Sequence, residues 1–235
     1  MKNHFTIPTG IEKRLQVWTD WAERQSHTQT AFRPYVTISR EYGCQAYKLA
    51  EALYERLGKH AASGTEWSML DRYLLETIAH ESGYSKAELN YMTQASPGFQ
   101  SMMANLSGPE SASPAKDFTT IKDTIRHFAQ TGNCIIVGRG GACITQDLPN
   151  ALHVRLVASL EFKVGHIMKS LGLTEQQAAE VIQTRQGERD AFIKHFTNMN
   201  TSDPKLYHLI LNNEKSSITE MADMIYARVL TLIEA

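Results

Sequence analysis

The chain has 235 residues, of which 42% are hydrophobic and 21% charged, and this suffices for one globular core of enzyme size. Its net charge of -1 provides no global attraction for nucleic acid or an anionic membrane, so neither is expected as a partner. The three cysteines lack metal-ligand spacing. No signal-type segment opens the chain, and no apolar run reaches the ~18 residues that span a bilayer. We expect a reduced, cytoplasmic protein.

The first predicted element is a helix over residues 11–26. One face of it carries four apolar side chains, Ile11, Leu15, Trp18 and Ala22. This face could cover the core of its own chain or contact a partner, and a homodimer is one of the options. We assign residues 1–34 to an N-terminal helical extension and residues 35–235 to one domain.

The segment "VTISREYGCQAYKLAEALYERLG" begins that domain. Its β-branched start predicts a buried strand over 36–39, and the spacing of its leucines predicts a helix over 48–57 that ends at Gly58. Arg40 and Gly43 lie at the corner between the two. A strand-to-helix corner favours anions, because the first N–H groups of the helix and its dipole point toward the corner.

The remaining elements alternate in type along the chain. We predict strands within "NCIIVGRGG", "NALHVRLVAS" and "YHLILNN", and helices over 71–82, 85–93, 118–131, 160–171, 174–195 and 217–234. Residues 93–117 are rich in Ser, Pro and Gly and predict a mobile loop or an insertion. Short apolar strands separated by helices indicate an α/β fold with a parallel sheet covered on both faces.

Basic residues follow the predicted strands. Arg40 follows the first strand, Arg139 the second, and Lys163 lies shortly after the third. Ligands of parallel sheets bind beyond the carboxyl ends of the strands. Arg185 and Arg189, four residues apart on one helical face, could close over a polyphosphate. The combination indicates phosphoryl transfer, in which positioning and charge neutralisation do most of the catalysis.

Three segments in this order resemble the cytidylate kinase-like proteins, a branch of the P-loop nucleoside monophosphate kinases: the two stretches "VTISREYGCQAYKLAEALYERLG" and "IIVGRGGACITQDLPNALHVRLVAS", and the tail "DPKLYHLILNNEKSSITEMADMI". The resemblance covers roughly residues 35–232. It implies a three-layer fold with a five-stranded parallel sheet, ATP with Mg²⁺ as phosphate donor, and a monophosphate such as CMP as acceptor.

The resemblance also implies roles for single residues. Gly43 matches a phosphate-loop glycine, and Arg40 an arginine found after the first strand. Arg139 matches the arginine that holds the acceptor phosphate, and Asp71 an aspartate of the acceptor-side helix. Lys163 and Arg189 match basic positions of a lid region at about 160–195, where Arg185 also lies.

The phosphate loop departs from the usual pattern. Its six positions are Gly43, Cys44, Gln45, Ala46, Tyr47 and Lys48. Gln45 replaces a glycine, Ala46 stands at the position of the kinase lysine, and Tyr47 follows in place of the hydroxyl that binds magnesium. Lys48 comes two residues after the usual lysine. In the lid, Gln186 replaces an aspartate.

Three functions therefore remain open from the sequence. The intact Gly-Arg turn and the basic lid residues favour an ATP-dependent kinase acting on CMP or a similar acceptor. Gln45, Ala46 and Gln186 favour a nucleotide-binding regulator that has lost catalysis. The tryptophans of the N-terminal helix favour a scaffold that binds a protein partner.

Overall fold

The computed structural model describes residues 33–60, 67–70 and 114–233. Its elements, in chain order, are β1 (Tyr35–Arg40), α1 (Ala46–His60), β2 (Ser68–Leu70), α2 (Pro114–Thr131), β3 (Cys134–Val137), α3 (Gly141–Ile144), β4 (Ala151–Val157), α4 (Leu160–Leu171), α5 (Glu175–Thr197), a 3-10 turn (Pro204–Leu206), β5 (Leu209–Asn212) and α6 (Ile218–Ile233). The predicted helices 11–26, 71–82 and 85–93, most of the loop 93–117, and Asp71 lie outside the described residues.

The five strands form one sheet in the order β2-β3-β1-β4-β5, and every pair is parallel. The central strand β1 pairs with both neighbours, so that Tyr35 lies beside Cys134 on one side and Ala151 on the other. β1, β3 and β4 are almost wholly buried, as expected for strands with both faces covered. The predicted five-stranded parallel sheet flanked by helices is confirmed.

The helices cover the two faces of the sheet with separate cores. On one face α1 and α6 pack against the sheet through a set of apolar side chains that includes Leu49, Leu53, Met221, Ile225 and Val229. On the other face α2, α3 and the end of α5 pack through a second set that includes Phe118, Ile125, Phe128, Ile144, Phe192 and Phe196. Burial of these side chains, at about 25 cal/mol per Å² of apolar surface, is the main stabilising contribution to the three layers.

Two local predictions were wrong or incomplete. Helix α1 does not end at Gly58 but continues to His60, since the backbone of Gly58 stays out of the left-handed region that ends helices. Strand β2 was not located from the sequence, because its three residues are too short to show a period. No helix within the described ranges is long and apolar enough to cross a membrane.

The topology fixes where a ligand can bind. The chain leaves β1 toward β2 on one side of the sheet, and leaves β4 toward β5 on the other. β1 and β4 are neighbours, and their connections therefore separate at their carboxyl ends. In open parallel sheets such a divergence forms the ligand-binding crevice. The loops after Arg40 and Val157 border this crevice.

Candidate functional site

The loop after β1 contacts the start of α4 through a glycine. Gly43 has φ of +96°, a conformation that side chains rarely adopt. A Cβ atom built on Gly43 would lie 2.8 Å from Cβ of Lys163. The aliphatic stem of Lys163 thus lies directly on the loop, and only a residue without a side chain fits beneath it.

The first turn of α1 faces the same corner. Its first turn contains no acidic residue, so its N–H groups and dipole retain their preference for an anion. Tyr47 is 39% exposed and Lys48 is exposed, whereas Ala46 is buried in the core. The N–H of Gln45 donates to Oδ1 of buried Asn213 at 2.7 Å. One N–H at the corner is therefore occupied by a side chain of the loop after β5.

A carboxylate occupies the centre of the corner. Glu41 Oε2 accepts from Lys163 Nζ at 2.7 Å and from the N–H of Ala158 at 3.4 Å. The Lys163 side chain is 14% exposed and that of Glu41 27%, so the pair is largely shielded from solvent. Glu41 thus occupies both the Lys163 ammonium group and the Ala158 N–H group at this corner.

Helix α5 reaches the loop through Tyr42. The N–H of Tyr42 donates to Gln186 Oε1 at 2.7 Å, and the Arg189 guanidinium lies 4.6 Å from the centre of the Tyr42 ring. Gln186 in turn donates to Asp190, whose other oxygen accepts from the hydroxyl of Thr201 at 2.6 Å. These bonds place Arg189 beside the phosphate loop, through a cation–π contact with the loop residue itself.

Arg185 bonds along its own helix. Its Nη1 lies 3.1 Å from Oε2 of Glu188, whose side chain is only 11% exposed. The other carboxylate oxygen of Glu188 is buried without a hydrogen bond. One contact of Arg185 is therefore this ion pair on α5.

The turn after β3 is conformationally unusual. Gly138, Arg139 and Gly140 all have positive φ, at +75°, +53° and +70°. Arginine rarely adopts such a φ, and residues held in this region concentrate at functional sites. A Cβ on Gly138 would clash with the guanidinium of Arg40. Arg40 and the turn that carries Arg139 are therefore in contact at the edge of the crevice.

The site offers little to a metal or to thiol chemistry. Burial raises the pKa of the Cys44 thiol to about 11, so the loop cysteine is protonated at neutral pH. Within the described ranges no three His, Cys, Asp or Glu side chains gather as metal ligands. Tyr47 stands exposed at the magnesium-ligand position. These residues do not fit a protein-held Mg²⁺.

Sequence reasoning missed three residues of this region: Glu41, Tyr42 and Asn213. Asn213 was recognisable as a polar side chain directly after a strand, the position from which ligand-binding residues extend in parallel sheets. The other two carried no signal, because a Glu and a Tyr in a loop are ordinary surface residues.

The geometry defines the class of protein. A parallel sheet of this order, with an anion-favouring loop between the central strand and its helix, is the fold of the P-loop kinases. The chain belongs to the cytidylate kinase-like family, whose model matches residues 35–215. Family membership supports a nucleotide-binding, kinase-like function.

Solved structures and curated proteins show more distant likenesses. An uncharacterized protein from Eubacterium ventriosum is 17% identical, with a TM-score of 0.60 over 85% of this chain and 99% of its own. A shikimate kinase from Bacteroides thetaiotaomicron is 13% identical, with a TM-score of 0.43 over 86% of this chain and 99% of its own. A uronate isomerase from Corynebacterium glutamicum is 26% identical over 97 residues, which are 40% of this chain and 19% of that protein.

Proposed function

We propose that this protein is an ATP-dependent kinase that transfers a phosphoryl group to a nucleoside monophosphate such as CMP. The observation that carries the proposal is the meeting of Gly43, the start of α1 and Lys163 at the carboxyl end of β1. Once Glu41 turns away from Lys163, this narrow corner would offer an ammonium group and backbone N–H groups to an anionic ligand. The triphosphate would bind there, and the acceptor would bind at the turn that contains Arg139.

In this reaction the bond between the γ-phosphorus and the β–γ bridging oxygen of ATP breaks, and an oxygen of the acceptor phosphate forms the new bond. ADP leaves with the electrons of the broken bond. Lys163 and Arg189, which both contact the loop after β1, would neutralise the charge that spreads over the transferring group. Arg40 and Arg139 would orient donor and acceptor. Mg²⁺ would arrive on the triphosphate, since it usually binds substrate phosphates and water with few protein ligands.

ATP binding requires a rearrangement of the corner. Glu41 is paired with Lys163, and Asn213 and Gln186 bond the N–H groups of Gln45 and Tyr42. A polyphosphate would take over the Lys163 ammonium, and its repulsion would turn the Glu41 carboxylate away. The ligand-free corner is thus closed by the side chains of the protein, and part of the binding energy goes into opening it.

A nucleotide-binding regulator without catalysis is the second candidate. Ala46, at the position of the kinase lysine, is 2% exposed and belongs to the core beneath α1. No side chain from that position can therefore reach a phosphate. This observation favours binding without turnover, unless the exposed Lys48 on the same helical turn supplies the missing charge.

Calorimetric titration with Mg-ATP and, separately, with CMP tests these functions, followed by a coupled assay of ADP release. Binding of both with CMP-dependent ADP release supports the kinase. Binding without ADP release supports the regulator. Absence of binding at millimolar concentrations of both ligands would overturn both proposals and leave a protein-binding scaffold. Lys48→Met in the same assay tests whether Lys48 supplies the charge, with the exposed Lys59→Met as the matched control.

A further inference from the structure

A buried arginine lies within β4, outside the basic residues discussed so far. Arg155 is 5% exposed and lies beside Ser39 of β1 and Ile210 of β5. It alternates with the buried Val154 and Leu156, which pack on the face of α1 and α6, so its side chain extends to the opposite face. Arginine is almost never this buried without a partner of opposite charge.

Within the described part of the chain, the contacts of Arg155 supply no negative charge to compensate its own. Nη1 donates to the hydroxyl oxygen of Tyr207 at 3.3 Å, and the guanidinium carbon lies 5.5 Å from the centre of the Tyr207 ring. The Tyr207 hydroxyl itself donates to the carbonyl of Thr201 at 2.7 Å. Among the described residues no carboxylate pairs with Arg155. A guanidinium has five N–H donors, and burying its charge without an anion is costly.

Arg155 lies near the carboxyl end of β4, where the sheet borders the crevice. It precedes the carboxyl end of β4 by two residues, and its neighbour Ser39 is half-buried next to the end of β1. Burial raises the pKa of Cys143 in α3, and the charge of Arg155 partly opposes this, which puts the guanidinium within electrostatic reach of α3. Arg155 thus lies on the face of the sheet that α3 covers, and α3 directly follows the turn of Arg139.

We propose that Arg155 is an anion-binding residue at the base of the crevice, where it binds a phosphate or carboxylate group of the acceptor. The inference rests on the proposed function in that it assigns the ligand to the acceptor: a phosphate agrees with a nucleoside monophosphate, whereas a carboxylate would point to a different acceptor. The forked donors of a guanidinium match the paired oxygens of both groups. The uncompensated charge then selects against neutral acceptors, since only an anion completes the ion pair.

The test compares Arg155→Met, Arg155→Lys and the wild type in thermal denaturation. Orthophosphate and acetate are titrated separately, and Mg-ATP in a third series. Arg228→Met, an exposed arginine on α6, controls for the loss of one positive charge. We expect one of the two anions to stabilise the wild type and Arg228→Met, and to bind at least tenfold more weakly to Arg155→Met. The anion that stabilises identifies the group as phosphate or carboxylate.

Arg155→Lys keeps the positive charge but lacks the forked donors, so its anion affinity should lie between those of the wild type and Arg155→Met. If Arg155→Met does not fold, the comparison of Arg155→Lys with the wild type provides the test. Ligand-free Arg155→Met should melt no lower than the wild type, because it removes an uncompensated buried charge. Equal affinity of Arg155→Met and the wild type for both anions would overturn the inference. The Mg-ATP series separates the two proposals. If the wild type does not bind Mg-ATP, the proposed kinase function is wrong, but an anion response that depends on Arg155 would still support the inference about Arg155.

Discussion

Lys163 Nζ lies 2.7 Å from Oε2 of Glu41, so the cation that we propose as a phosphate ligand is already paired with a carboxylate of the protein. Glu41→Gln removes this competing negative charge and leaves the side-chain shape. We expect the affinity for Mg-ATP to rise about threefold to fivefold, since a partly exposed ion pair contributes about 1 kcal/mol or less. Calorimetric titration of the two proteins measures the difference.

The control is Glu51→Gln, an exposed carboxylate on α1 that contributes the same charge to the protein. It should leave the affinity for Mg-ATP within the error of the wild type. If Glu41→Gln bound ATP no better than Glu51→Gln, Glu41 would not be a competitor of the ligand.

Alanine substitutions at Gly43 and Gly172 distinguish the cost of backbone strain from the cost of steric crowding. Both have positive φ, but a Cβ on Gly43 would lie 2.8 Å from Lys163, whereas nothing lies within 4 Å of a Cβ on Gly172. Gly172→Ala is expected to lower the free energy of unfolding by about 1 kcal/mol through strain alone. Gly43→Ala should cost about 1 to 2 kcal/mol more, because α4 must move off the loop.

Urea unfolding followed by circular dichroism gives both free energies. Gly43→Ala should also weaken Mg-ATP binding, while Gly172→Ala should not, since it lies at the far end of α4. Equal losses of stability in the two variants would show that Lys163 does not pack on Gly43 as described.

Much of the fold followed from the sequence, because parallel strands covered on both faces are continuous apolar runs that periodicity detects. Cys134–Val137 and Ala151–Val157 are such runs. That Gly43 and Lys163 follow strands at the same edge of the sheet was also expected from the sequence, since the carboxyl ends of parallel strands meet there. The partners at that edge were not predictable: nothing in a single sequence pairs Glu41 with Lys163, 122 residues later.

Arg139 provides a test of the acceptor side. Arg139→Asn removes the guanidinium but suits the backbone, because Asn adopts positive φ more readily than other side chains. We expect the dissociation constant for CMP to rise about tenfold to a hundredfold, as for the loss of a charged hydrogen bond. Titration with CMP measures it, and titration with Mg-ATP should change less than about twofold. If Arg139→Asn bound CMP as tightly as the wild type, Arg139 would not be part of the acceptor site.

His153 links stability to pH. It is 2% exposed, and its Nδ1 lies 2.9 Å from the hydroxyl of Thr37. Burial, with a smaller effect of His208, lowers the pKa of His153 from 6.5 to about 4. Between pH 6.5 and about 4, His153 binds a proton in the unfolded chain but not in the folded protein. The free energy of unfolding is therefore unaffected by His153 above pH 6.5 and falls as the pH drops toward 4. The loss is of the order of 3 kcal/mol.

Melting temperatures across this pH range, compared between the wild type and His153→Asn, measure the effect. The variant cannot titrate at this position, and its melting temperature should therefore vary less with pH. Some dependence should persist, because burial also lowers the pKa of His208, whose contribution has the same sign. The exposed His127→Asn serves as control and should follow the wild type. Parallel curves for His153→Asn and the wild type would mean that His153 is accessible to protons in the folded protein.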